Sequence, residues 1–191
     1  MKRYRNFFPR SIGRIVLLVG LFVGVTVYDH RDKLGLSNPF ISHAQVEGRL
    51  DPQPGEIVGQ ASIIDADTIE IQGLRIRLIG IDAPESDQLC QREGKDYRCG
   101  QVAANALDDL ISSQTVACAE QGRDQYKRVL AVCRIAGVEL NRWLVQHGHA
   151  MAYRRYSMDY AADEDKARVD RVGIWAGGFQ EPWTYRASKR L

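Results

Sequence analysis

Residues 74–81 (LRIRLIGI) alternate strictly between two faces, a period that a strand can satisfy and a helix cannot. Leu74, Ile76, Leu78 and Gly80 fall on one side, and Arg75, Arg77, Ile79 and Ile81 on the other. An arginine in mid-strand is expensive to bury without an anionic partner, so Arg77 asks for carboxylates nearby. Asp82 ends the strand, Pro84 forces an extended turn, and Glu85 follows. Two carboxylates at a strand end can divide labour: one holds a cation and the other takes a proton from water.

Two further stretches complement this one. Asp65-Ala66-Asp67-Thr68 places two acids around a turn, where they could meet a hard cation that prefers oxygen ligands. Asp124-Gln125-Tyr126-Lys127-Arg128 is a charged turn whose tyrosine and guanidinium could hold a phosphate. Taken singly, each reads equally well as a polar turn, a strand terminus or a solvated hairpin tip. Together they supply what phosphodiester cleavage requires: positive charge for the phosphorus centre, ligands for a metal, and a base for water. Their place at strand ends predicts an exposed site whose residues can be changed without loss of the fold.

The pattern around these motifs predicts an α+β chain. Strands are expected over 56–65, 68–72 and 74–81, with two more around Cys118 and Cys133. Helices are expected over 101–111, with Val102, Ala106, Leu107, Leu110 and Ile111 on one stripe, over 139–147, and over 159–172. Early strands, with a helix between the third and fourth, suggest a five-stranded barrel of the OB type with three helices.

Net charge is +2, but Lys2, Arg3, Arg5, Arg10 and Arg14 all precede the first acid, Asp29, so the remainder is slightly acidic. Nucleic acid would therefore be gripped by a local cluster, not by overall charge. Residues 15–28 carry no charge and follow that basic flank. This is the form of a signal anchor or a signal peptide; at about 1.5 Å per residue the run is slightly shorter than a hydrocarbon core of roughly 30 Å. The cation bias would keep the N-terminus in the cytoplasm and place the rest of the chain outside. The expected organisation is a basic cytoplasmic start (1–11), a signal anchor or signal peptide (12–29), a linker (30–53) and a catalytic domain (54–191).

Four cysteines, Cys90, Cys99, Cys118 and Cys133, suit an exported domain with two disulfides. Three pairings are possible; proximity favours Cys90–Cys99 and Cys118–Cys133, against four reduced buried thiols. No CxxC pair or neighbouring histidine cluster favours zinc.

The ordered series Asp65-Ala-Asp-Thr68, Arg77-Leu-Ile-Gly-Ile-Asp-Ala-Pro-Glu85 and Asp124-Gln-Tyr-Lys-Arg128 resembles the signature of staphylococcal nuclease-like domains over roughly residues 55–183. The stretches Tyr97–Gly100, Gly148–Tyr156, Gly173–Trp175 and Pro182-Trp183 resemble an exported bacterial branch of that family. The resemblance implies an OB barrel with three helices and a Ca²⁺-dependent nuclease acting on DNA or RNA, leaving 3′-phosphate ends. It implies no organic cofactor. It matches Asp67 and Asp82 to carboxylate ligands of Ca²⁺, Ala83 to a backbone carbonyl ligand, and Asp65 to a carboxylate behind them. Glu85 matches the general base, Arg77 and Arg128 the phosphate clamp, and Tyr126 a tyrosine near the nucleotide phosphate. Tyr153 and Tyr156 could stack on bases or belong to the core. Ala66 and Lys127 stand where the family usually has glycine, which would strain a loop needing positive φ. The partners expected are nucleic acid and, through the N-terminal segment, the cytoplasmic membrane. The catalytic domain would then lie in the periplasm or extracellular space. The competing reading is a non-catalytic OB module that binds nucleic acid or protein.

Overall fold

The computed structural model describes residues 50–190. The basic start, the apolar run and nearly all of the linker lie outside the described residues. Among the described residues no helix is long and apolar enough to cross a membrane.

The alternating segment forms β4 (Leu74–Leu78), flanked by β3 (Thr68–Ile71) antiparallel and β9 (Val129–Ile135) parallel. Ile76 and Leu78 are buried, whereas Leu74 is exposed at the start of the strand. The strand stops short of its expected end. Gly80 adopts φ +81°, and a Cβ there would lie 2.8 Å from the Tyr160 ring, so the chain turns there and resumes as β5 (Ile81–Asp82). The expected strand over 56–65 is likewise split at Gln60 into β1 (Ile57–Gly59) and β2 (Ala61–Asp65). β1 pairs with β8 (Val116–Arg123), and β2 pairs with β3. The sheet order β1-β8-β9-β4-β3-β2 therefore returns to its starting strand, and the ring closes through chain continuity at Gln60. Buried Ile69, Ile71, Ile76, Leu78, Val129, Ala131 and Ile135 fill the ring.

α1 (Cys99–Ile111) closes one side. It buries Ala103, Ala104, Leu107 and Ile111, whereas Val102 is exposed, so the apolar stripe is rotated by about one position from the expected one. α2 (Leu140–Gln146), entered from the short β10 (Val138–Glu139), is held by buried Asn141. Its Nδ2 donates to the carbonyls of Ile79 (2.9 Å) and Ala131 (3.3 Å), and its Oδ1 accepts from Cys133 N–H (3.1 Å). α3 (Ala161–Asp170) follows. The fold is thus mixed α+β, consistent with an OB-type arrangement. The described residues hold four α-helices, not the three expected: a short α4 (Pro182–Ser188) lies at the C-terminal end. Proline is favoured at a first helical position because its fixed φ suits it and its missing N–H would be unpaired there.

A second, smaller core lies against the first. The hairpin β6 (Leu89–Arg92) and β7 (Lys95–Arg98), absent from the expected map, packs with β11 (Met151–Ala152), Ile174, Trp175, Phe179 and Trp183 around the Cys90–Cys99 disulfide. The other disulfide joins Cys118 to Cys133, directly opposed on β8 and β9. Both pairings follow the proximity expectation, and among the described residues no cysteine is free.

Each bridge closes a short loop and is expected to contribute roughly 2–4 kcal/mol. Oxidised protein should resist thiol labelling until reduced, and the double change Cys118→Ser and Cys133→Ser should lower the urea midpoint accordingly. Ready labelling of all four cysteines in native, unreduced protein would contradict the pairing.

Candidate functional site

Two of the three motifs meet at Arg77, and the third precedes the strand that pairs with β4. Between β2 and β3, Ala66 and Asp67 form a turn that is folded inward, with Asp67 only 3 % exposed. Leu78 N–H donates to the Asp67 carbonyl (2.9 Å), which lays this turn over the end of β4. Arg77 reaches both acids at once: Nη1 donates to Asp67 Oδ1 (2.5 Å) and Nη2 to Asp82 Oδ1 (2.6 Å). Thr68 Oγ1 (3.0 Å) and the Ala83 N–H (2.9 Å) also donate to the Asp67 carboxylate. Burial pushes the Asp67 carboxyl up, against the opposing pull of Arg77. Burial acts to lower Arg77, but Asp67 and Asp82 outweigh it and hold the guanidinium raised.

This geometry corrects one expectation. Asp67 and Asp82 are buried and the Arg77 side chain is only 16 % exposed, so this part of the site is not an exposed strand end. Removing Arg77 would leave two buried carboxylates without their shared partner, at a cost of about 3–5 kcal/mol.

Asp82 is fixed from two sides. β5 pairs with β11, setting Asp82 opposite Met151, and Tyr153 N–H donates to the Gly80 carbonyl (2.8 Å). The Gly148–Tyr156 stretch is thereby the sheet partner of the acid. Glu85 follows on a loop pressed against the start of α1. A Cβ on Gly100 would sit 1.8 Å from the Glu85 carbonyl oxygen, so only glycine permits this approach. Buried Gln88 completes the loop: its N–H donates to the Glu85 carbonyl (2.8 Å), and its Nε2 to the Gln180 carbonyl (2.5 Å). Ser86 Oγ donates to Asp65, which holds that acid to the side of the buried pair.

Sequence reasoning missed Arg186 of α4. Its Nη1 donates to Asp82 Oδ1 (3.1 Å) and Glu85 Oε1 (2.7 Å), and its Nη2 to Asp82 Oδ2 (2.7 Å). Burial works against its charge, but the two carboxylates hold it raised. No pattern in a seven-residue helix far along the chain announces this contact. Among the described residues no three acidic, cysteine or histidine side chains stand together as a metal array. The donor chemistry nevertheless fits a hard cation. Asp67, Asp82 and Glu85 offer only oxygen and outnumber Arg77, and the excess negative charge has drawn in a second guanidinium.

Arg128 immediately precedes β9, the strand beside β4: Val129, the next residue, pairs with Ile76. Asp124 organises its turn, accepting from Tyr126 N–H (2.8 Å), Arg128 N–H (3.0 Å) and Arg128 Nε (2.8 Å). The guanidinium lies 5.6 Å from the centre of the exposed Tyr126 ring. Its hydrogen bond to Asp124 uses Nε and leaves the Nη side of the fork for another anion. Lys127 takes φ +64°, the left-handed conformation expected for a glycine-like position, whereas Ala66 is not among the positive-φ residues. Tyr153 is half-buried, tilted against Tyr156 (4.7 Å) and stacked on Trp183 (5.6 Å, 13°), while Tyr156 is 72 % exposed.

Asp124 carries a testable consequence. Burial pushes its carboxyl up, but the Arg128 side chain and the two backbone N–H groups outweigh this and hold it below the usual carboxylate range. A depressed pKa contributes stability above the unfolded value of about 3.9, lost as pH falls through the folded value. Asp124→Ala should therefore cost about 1–3 kcal/mol at neutral pH. Urea unfolding of the two proteins should converge as the pH drops below 4; a constant gap down to strong acid would contradict the assignment.

Comparison with known proteins identifies the family. Residues 75–177 match the family model described as staphylococcal nuclease homologue. The succinoglycan biosynthesis protein ExoI of Rhizobium meliloti is 45 % identical over 123 residues, covering 62 % of this chain and 64 % of that protein. The chain thus spans just under two thirds of that relative's length. The micrococcal nuclease of Shigella flexneri is 34 % identical over 154 residues, covering 71 % of this chain and 82 % of that one. An uncharacterized endonuclease of Haemophilus influenzae is 31 % identical over 137 residues, covering 68 % and 72 %. With the matched stretch holding Arg77, Asp82, Glu85 and Arg128, the chain belongs to the staphylococcal nuclease family, whose enzymes hydrolyse phosphodiester bonds.

Proposed function

We propose that this protein is a Ca²⁺-dependent nuclease that hydrolyses phosphodiester bonds of DNA or RNA and leaves 3′-phosphate ends. The observation that carries the reading is Arg77 bridging buried Asp67 and Asp82, with Glu85 three residues beyond Asp82 and Arg128 immediately ahead of the adjoining strand. Asp67 and Asp82, with the Ala83 carbonyl, would hold the cation, and Asp65 would support them from behind. Bound there, Ca²⁺ would polarise the phosphate and lower the pKa of a coordinated water.

The protein's own groups do the rest. Arg128 presents the Nη side of its fork to the phosphate, and Tyr126 lies beside it. Arg77 holds the Asp67 and Asp82 carboxylates in place and directs positive charge to the same region. Glu85 accepts the proton of the attacking water or positions that water. Tyr153 and Tyr156 offer ring faces to the bases next to the cut.

The closed ring of strands supports the reading of an OB barrel, a fold whose face and loops bind oligonucleotides. The two disulfides and the basic-flanked apolar run support a catalytic domain outside the cytoplasm, tethered by the N-terminal segment.

Chelation should abolish cleavage and Ca²⁺ should restore it. Glu85→Gln and Arg128→Ala should each slow single-turnover cleavage by a factor of about 10²–10³ with little change in circular dichroism. Arg77→Ala should lose both rate and stability, by the cost of the buried acids. If folded Glu85→Gln and Arg128→Ala both cut at the parent rate, the site is misassigned and the non-catalytic binding module takes its place.

A further inference from the structure

The family match ends at residue 177, yet the acidic cluster is completed by a side chain beyond it. α4 turns one face toward this region. Trp183 stacks on Tyr153, and Arg186, three residues later on the same helical face, forks onto Asp82 and reaches Glu85. The helix is pinned from outside by Asp87, which accepts from Tyr185 Oη (3.2 Å) and from Lys189, and its approach is held by Gln88 at the Gln180 carbonyl.

Both oxygens of Asp82 accept from the Arg186 fork, and one of them also accepts from Arg77. An oxygen engaged in this way cannot turn its lone pairs fully to a metal. The Arg186 side chain is 31 % exposed, so it lies at the mouth of the site and can swing out while Arg77 stays buried behind it.

We infer that Arg186 is a positioning residue that sets the cation affinity of the site: it holds Asp82 and Glu85 in place while no metal is bound, and a divalent cation must displace it to reach them. This rests on the Ca²⁺ reading of Asp67 and Asp82 given above. The charge balance favours such an exchange. Three acids face Arg77 and Arg186, so a divalent cation replacing the single charge of Arg186 gains a unit of attraction, while the released guanidinium is free to meet the incoming phosphate. Because Trp183 and Arg186 share one face of one short helix, the exchange also links occupation of the acidic cluster to the aromatic stack at Tyr153.

The test is calorimetric titration of Ca²⁺ into the full-length protein and its Arg186→Gln and Arg186→Lys variants, with thermal melts in chelator and in Ca²⁺. Arg186→Gln should bind Ca²⁺ about tenfold more tightly or better, because no charged hydrogen bonds need be broken. It should melt lower than the parent in chelator and regain more stability from Ca²⁺. Arg186→Lys, which keeps the charge without the fork, should fall between the two in affinity, and it serves as the readout if the glutamine variant does not fold. Equal Ca²⁺ affinity in parent and variants would overturn the inference and leave the metal reading standing. Weaker binding in folded Arg186→Gln would make the arginine a support of the ligands and also overturn it. No Ca²⁺ binding by any of the three proteins would remove the metal reading, and this inference with it.

Discussion

The structure is organised around a guanidinium shared by two buried carboxylates. An isolated ion at that depth would be prohibitive, so Arg77 and Asp67 are tolerable because they are paired, and Asp82 because it is shared between Arg77 and Arg186. That mutual requirement fixes much of the local chain. The β2–β3 turn folds inward to bring Asp67 to Arg77, and β5 sits where Asp82 can reach the same guanidinium. The Ala83 N–H then ties the following loop to the turn. Asp67 thus has every oxygen met by a donor, which is the condition under which a buried polar network adds specificity in place of a penalty.

Much of this is legible in the sequence because period-2 alternation holds through Arg77 and Leu78, up to the turn at Gly80. Arg77 in mid-strand demands acids, and the two motifs with acids at strand ends supply them. Both disulfides follow from spacing, since Cys118 and Cys133 lie on neighbouring strands of one antiparallel hairpin. Burial of the site is not legible in the same way. A turn of the type Asp-Ala-Asp looks solvated from its composition, and only the tertiary arrangement shows that β4 passes beneath it. The stripe of α1 sits about one position from where periodicity puts it, because alanines at 103 and 104 carry less hydrophobic signal than Val102, which is exposed.

The second core is the least legible part. Its hairpin reads LCQR and KDYR, mostly polar residues with no alternating apolar face, and it is held by a disulfide and by aromatic residues from distant segments. Such an assembly depends on contacts between stretches far apart in sequence, which local periodicity cannot report. α4 rests on this core, so its entry into the site is equally hidden. The same dependence joins the packing of Trp175, Phe179 and Trp183 to the geometry of Asp82, even though none of the three touches that acid directly.

The continuous β1–β2 segment has a kinetic implication. Ile57 must find Cys118, a partner that follows β2 to β7 and all of α1 in the chain, while Ala61, only four residues further on, pairs within a local hairpin with Ile71. Local pairings form early because short loops lose little entropy on closure, and long-range ones are delayed. The β2-β3-β4 meander can therefore assemble as soon as it is available. β1, ahead of Gln60, then waits with its hydrogen-bonding edge unpaired until the β8–β9 hairpin arrives. Closing the ring is accordingly a late, cooperative event, and the register of the last strand to dock is inherited from the first hairpin to form.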